Sequence, residues 1–158
     1  MKVEKTLQEL GLELPEPSKP VGSYVPWLIS GNLLFISGTI PSRNGVPQAG
    51  KFGDSLKLED TEELGKIVAL TLIANIKDAI KDLDKVKRIV KIEGFVNSTP
   101  DFIDQPKVIN GVSNLLVKIF GEKGKHSRIA TGVNSLPLGA AIEVSAIIEI
   151  EKLLNKNH

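Results

Sequence analysis

Arg128 and Glu143 are the residues of this chain whose types and setting point most directly to chemistry. They lie in residues 126–150, HSRIATGVNSLPLGAAIEVSAIIEI, where two strand-like runs flank Leu136-Pro137-Leu138-Gly139. Each run alternates, which predicts two half-buried strands joined as a hairpin. Arg128, Ala130, Gly132 and Asn134 share one side of the first strand. In the second, Ala141, Glu143, Ser145, Ile147 and Glu149 lie opposite Ile142, Val144, Ala146, Ile148 and Ile150. A register pairing positions whose numbers sum to an odd value puts Arg128 and Glu143 on one face. They would then stand roughly 7–14 Å apart along the strand, at about 3.4 Å per residue. Ala130 and Gly132 would floor a gap fit for a small anion. A guanidinium grips a carboxylate through two parallel bonds, and a neighbouring carboxylate can orient a water or move its proton. The ordinary alternative is surface chemistry: Lys123, Lys125 and His126 precede Arg128, as in a solvated basic turn, and a strand glutamate is common on an outer face.

Other chemistries have less material. The chain has no cysteine, which excludes disulfides, thiolate nucleophiles and cysteine-based metal sites. Two histidines, His126 and His158, cannot build a multi-histidine centre in one chain, so neither metal nor cofactor is expected. Twenty basic residues nearly balance nineteen acidic ones, leaving no electrostatic footprint for nucleic acid or a membrane surface. The first residues, MKVEKTLQELGLELPEP, carry charges where a signal peptide would be apolar, and no run is long enough to span a bilayer. A cytoplasmic protein is the expectation.

The elements that must position Arg128 and Glu143 follow from periodicity. A length of 158 residues suggests one domain, 1–158, with residues 1–20 as an N-terminal extension. Residues 2–10 predict a short helix with Val3, Leu7 and Leu10 on its apolar face, before Pro15, Pro17 and Pro20 exclude regular structure as far as Val21. Residues 24–37 predict a hairpin turning at Ser30-Gly31-Asn32, with Gly38 marking a bulge, a close backbone approach or, equally, a plain strand exit. Residues 41–60 form a long loop in which 52–58 reads as a short edge strand. A first long helix starts at Asp60 or Thr61, with Asp60 and Glu63 as a capping box, and runs to about Leu83, apolar on more than one side. A strand over 88–98 is expected to put Val90, Ile92, Gly94 and Val96 on one face, and Ile89 and Phe95 on the other. A second helix runs from Gln105 to Phe120, with Pro106 in its first turn, Gly121 as its stop, and Ile109, Val112, Leu115, Leu116 and Ile119 as its core stripe. The end, EKLLNKNH, is expected to fray. This order predicts an α+β fold, a mixed β-sheet with two helices packed on one face. Residues 142–150 are apolar on both sides, which implies that the other face is buried against further copies of the chain, with pockets between subunits.

These motifs together resemble the Rid family, the YjgF-like reactive intermediate deaminases also called endoribonuclease L-PSP. Arg128, then Leu136-Pro137, then Ile142-Glu143 resembles the family signature. Gly22-Ser23-Tyr24-Val25, Gly31-Asn32 and Ser37-Gly38-Thr39-Ile40-Pro41 resemble its opening hairpin, and the likeness spans about residues 21–150. The resemblance implies a chorismate-mutase-like fold and a homotrimer with three clefts between subunits. It implies that Arg128 holds a substrate carboxylate, that Glu143 positions a water, and that Tyr24, Ser37, Gly38, Ile40 and Asn110 line the cleft. It implies an enamine or imine deaminase that releases ammonia and a 2-keto acid from substrates such as 2-aminoacrylate. The family's usual cysteine two residues after the arginine is Ala130 here, and its usual glutamine after Ser-Gly is Thr39. Two other readings stand beside this: a non-catalytic protein that binds small carboxylates or partners through the same clefts, and a ribonuclease. Near-zero net charge and 4% aromatics argue against the ribonuclease.

Overall fold

Five strands of residues 27–150 pair into one mixed sheet, in the computed structural model, which describes residues 2–20 and 22–154. Val21 and residues 155–158 lie outside the described residues, so the expected fraying falls largely beyond them. The chain opens with helix α1 (Lys2–Glu9), followed by β1 (Trp27–Ser30) and β2 (Leu33–Thr39), an antiparallel pair as predicted. Next come β3 (Ser42–Arg43), β4 (Val46–Pro47), α2 (Thr61–Ile80), β5 (Val86–Asn97), α3 (Gln105–Phe120), β6 (Ser127–Val133) and β7 (Ile142–Ile150). The sheet order is β1-β2-β7-β5-β6. Helices α2 and α3 cover one face, and α1 packs against α3.

The hairpin expected over 126–150 does not form. β6 runs parallel to β5, returned beside it by α3, while β7 runs antiparallel and inserts between β2 and β5. The residues joining β6 to β7 include a 3-10 turn at Pro137–Gly139 and are too many for a tight hairpin, so the chain can pass over β5. β7 is the centre of the sheet: Ile142, Val144, Ala146, Ile148 and Ile150 are all buried beneath the helices. Each fully buried Ile or Val there contributes about 1.5–3 kcal/mol.

Three smaller differences have local causes. In β5 the register slips between Ile89 and Lys91, so Ile89 joins Ile92, Gly94 and Val96 towards the core and Val90 does not. The capping box is replaced: the Asp60 carboxylate accepts the Lys57 backbone N–H at 2.8 Å, while Glu63 pairs with Arg43. Residues 52–58 make no edge strand. Phe52 is instead buried, bridging Leu56 and Ser98 and meeting the Phe102 ring at a tilt with centroids 5.6 Å apart, while β3 and β4 turn at Asn44-Gly45, both at positive φ. An Asn-Gly pair is the turn that such a short hairpin requires.

The face of the sheet away from the helices is not covered by any of the described residues. Leu28 (58% exposed), Phe35 (38%) and Ile129 (49%) stand on it, with Phe95 and Ile147 half-buried between them. That is the apolar outer face the alternation in the sequence implies.

Candidate functional site

Glu143 stands on the open face of β7, opposite Phe95 of β5 and next to β2. The pairing of β2 with β7 slips between Ile36 and Thr39, so Ser37 and Gly38 form a bulge. The Glu143 side chain lies against Gly38 so closely that a Cβ built on Gly38 would stand 3.0 Å from Cδ and 3.3 Å from Cγ. Gly38 thus satisfies both expectations, bulge and close approach. Ser37 is fixed beside it: its Oγ donates to Val25 O at 2.6 Å and its N–H to Pro26 O at 3.0 Å. Tyr24, Ser37, Gly38 and Thr39 share a cavity of about 20 Å³ with Ser18, Lys19, Pro20 and Asn75, room for about one water. Its outer wall is the proline-rich segment, held by Asn75 of α2. This amide is 1% exposed, accepts the Ser18 N–H at 2.8 Å and donates to Ser18 Oγ at 3.0 Å. Ile40 follows directly after β2, half-buried.

Arg128 lies on the other side of the sheet. It sits opposite Ile92 in the parallel β5–β6 pair, on the helix-facing side, in an edge strand whose outer flank has no strand partner. Its Nη1 donates to Ser113 Oγ at 3.1 Å and its Nη2 to Pro106 O at 3.3 Å, both on α3. No Asp or Glu among the described residues pairs with it, so its charge faces only neutral acceptors. Ala130 and Gly132 follow along the same side, and a depression of about 280 Å³ opens at Gly132 between Ser98, Phe102 and Gln105.

Within one chain the structure therefore assembles two separate groups. Tyr24, Ser37 and Gly38 share one cavity, and Glu143 joins them through its contact with Gly38; Arg128 stands alone among the sequence-predicted residues, on the opposite face, so the expected sharing of one face with Glu143 does not hold. Asn110 is with neither. It lines a groove of about 530 Å³ between α1, α2 and α3, with Leu10, Leu12 and Leu115. Sequence reasoning passed over Ser113, His126 and Asn75. Ser113 and Asn75 had a signal, each being a polar residue inside an apolar helical stripe; His126 precedes Arg128 by one strand repeat. Among the described residues no three His, Cys, Asp or Glu side chains converge as a metal cluster, and no helix is long and apolar enough to cross a membrane.

Comparison with known proteins agrees with this architecture. The family model described as "YjgF/chorismate mutase-like, putative endoribonuclease" matches residues 4–150. The protein TCP17 of Trypanosoma cruzi is 41% identical over 151 residues, covering 94% of each chain. The crystal structure of Atu1372 from Agrobacterium tumefaciens, a protein of unknown function, superposes with a TM-score of 0.86 at 40% identity, covering 95% of this chain and 94% of that one. A structure from Shewanella oneidensis whose name carries the endoribonuclease label superposes with a TM-score of 0.90 at 33% identity, covering 95% of this chain and all of that one (100%).

Proposed function

This chain belongs to the YjgF/chorismate mutase-like family, and we propose that it hydrolyses small carboxylate-bearing enamines or imines to 2-keto acids and ammonia, in clefts between copies of itself. The observation that supports this is that Arg128 and Glu143 stand on opposite faces of one sheet. Among the described residues Arg128 has no anionic partner and its strand lies at the sheet edge, while Glu143 lies over Gly38 on an apolar face that none of them covers. Rotational assembly brings one copy's edge to another copy's face and joins the two halves, as the homotrimer implied by the family does.

The chemistry asks little of such a cleft. The enamine CH₂=C(NH₂)COO⁻ tautomerises to the imine, whose carbon is already electrophilic. Arg128 of one copy holds the carboxylate through its planar fork. Glu143 of the partner subunit orients a water onto that carbon and relays the water's proton to the imine nitrogen, giving a carbinolamine. Relaying the hydroxyl proton of the carbinolamine to the same nitrogen expels ammonia and leaves the 2-keto acid, so that enamine and water balance keto acid and ammonia. Tyr24, Ser37, Gly38 and Ile40 are assigned to the wall of the proposed cleft, with Gly38 against Glu143.

The test is complementation. Arg128→Ala and Glu143→Gln should each abolish ammonia release from freshly generated 2-aminoacrylate. Co-expressed in equal amounts, they should recover about a quarter of wild-type activity, because a cleft then needs one intact contributor from each side, each present half the time. Full activity of Arg128→Ala would remove the arginine from its role. No recovery on mixing would place both groups in one chain's site. The second reading, a non-catalytic carboxylate-binding protein, is favoured by Ala130 standing where the family usually has cysteine. It predicts 2-keto acid binding that depends on Arg128 without ammonia release.

A further inference from the structure

We propose that Ser113 and His126 are positioning residues that pre-set the Arg128 guanidinium for a substrate carboxylate; the inference rests on the role given to Arg128 above. The direction of each hydrogen bond follows from its partners. His126 Nδ1 lies 2.6 Å from the Gly124 carbonyl oxygen, which only accepts, so Nδ1 carries the hydrogen. In a neutral imidazole Nε2 is then a bare acceptor. Ser113 Oγ lies 2.9 Å from it and donates its hydrogen there. That turns the oxygen's lone pairs towards Arg128, whose Nη1 donates to it at 3.1 Å.

Each link removes a freedom from the next. Ser113 is 8% exposed, and a helical serine left to itself donates to the carbonyl one turn earlier. Here the imidazole takes that hydrogen instead. With Nη2 on the Pro106 carbonyl, two of the five guanidinium N–H donors are fixed by α3, and the others remain for a ligand. The acceptors are neutral. A carboxylate in their place would satisfy the arginine and compete with the incoming anion, whereas a hydroxyl and a carbonyl orient the charge and leave it uncompensated. An arginine already held in place loses less rotamer freedom when it binds, so the effect falls on affinity and not on the chemical step.

Four variants test this, with KM and kcat for 2-aminoacrylate, Kd for pyruvate by calorimetry, and Tm as readouts. Ser113→Ala should raise KM and Kd about 3–10-fold, the loss of one modest hydrogen bond, with kcat within about twofold. His126→Asn reaches Gly124 but is too short for Ser113, and should match Ser113→Ala. His126→Gln offers an acceptor near the position of Nε2 and should recover most of that loss. Ser113→Ala/His126→Asn should be no worse than either single change, because both break one link. Wild-type affinity in Ser113→Ala and His126→Asn, while Arg128→Ala loses pyruvate binding, overturns the positioning role and leaves the Arg128 reading intact. An unchanged Kd in Arg128→Ala overturns both. A fall in kcat or Tm with KM and Kd unmoved reduces the pair to a structural role and also overturns the proposal.

Discussion

Gly38→Ala isolates the contact on which the glutamate half of the site depends. An alanine Cβ at this position would overlap Glu143 Oε1 and stand 3.0 Å from Cδ and 3.3 Å from Cγ, where carbon pairs settle at about 3.5–4.0 Å. The carboxyl group, its Oε1 first, must therefore retreat by about 1 Å. Retreat is cheap for stability: the obstructing atoms end a flexible side chain, Gly38 is exposed, and its φ is not positive. Retreat is expensive for catalysis, where a displacement of about 1 Å costs on the order of 10²-fold. Gly38→Ala should therefore keep Tm within a few degrees of wild type while kcat for 2-aminoacrylate hydrolysis, followed by ammonia release, falls about 100-fold. Affinity for pyruvate, held by Arg128, should change much less. Wild-type kcat would show that the position of Glu143 over Gly38 is irrelevant to turnover. A large fall in Tm would show that the glycine serves the bulge and not the glutamate.

Three further outcomes probe the frame around the site. A Cβ on Gly65 would stand 2.6 Å from Gly111 Cα and 2.7 Å from its carbonyl oxygen, backbone that cannot swing aside; Gly65→Ala should force α2 from α3 and cost about 2 kcal/mol, read in urea melts as a lower midpoint. The Trp27 indole donates to Asp78 at 2.8 Å and, with Lys81, holds that carboxyl below its ordinary value against the opposing effect of burial. A carboxylate with a lowered pKa stabilises the fold above the ordinary carboxylate range and loses that contribution as pH falls through its folded value. The Tm difference between wild type and Trp27→Phe should therefore contain a part that disappears on acidification through that range; a difference independent of pH would assign the whole effect to packing. Asn75→Ala removes both bonds to Ser18, each worth about 1 kcal/mol, so cleavage within residues 12–20 by a limiting protease should rise roughly 30-fold. An unchanged cleavage rate would mean that Leu12 and Leu14, packed on the core, hold the segment unaided.

Local signals in the sequence were sufficient where local physics decides the outcome. Pro106 and Gly121 bound α3 at the residues expected, because a proline without an N–H suits a first turn and a glycine at φ 63° ends the last one. Ser30-Gly31-Asn32 fixed the first hairpin for the same reason. The pairing of β6 and β7 failed because adjacency along the chain is a weaker constraint than burial. Every helix-facing residue of β7 is apolar and buried, which suits the centre of the sheet, and β5 rather than β6 supplies its second neighbour. The Ile89 slip was invisible for a different reason, since a bulge shifts the face of every residue beyond it without changing composition. The contacts of Ser113 and His126 depend on how α3 lies against β6, which periodicity within either element does not encode.

The same topology explains why Arg128 and Glu143 were legible as residues but not as a site. Side chains on neighbouring strands of one sheet either share a face or are separated by the thickness of the sheet, and the register decides which. Arg128 takes its face from Ile92, beneath the helices, and Glu143 takes its face from Phe95, on the open side. No rotamer carries either side chain through the sheet. If one ligand is to touch both, the arginine must come round a free edge and meet the glutamate of another copy. The free edge of β6 and the apolar open face supply the two surfaces such a meeting requires. On the proposed function, assembly and catalysis become a single property of this fold: whatever covers Leu28, Phe35 and Ile129 also determines whether Arg128 of one copy lies within reach of Glu143 of another.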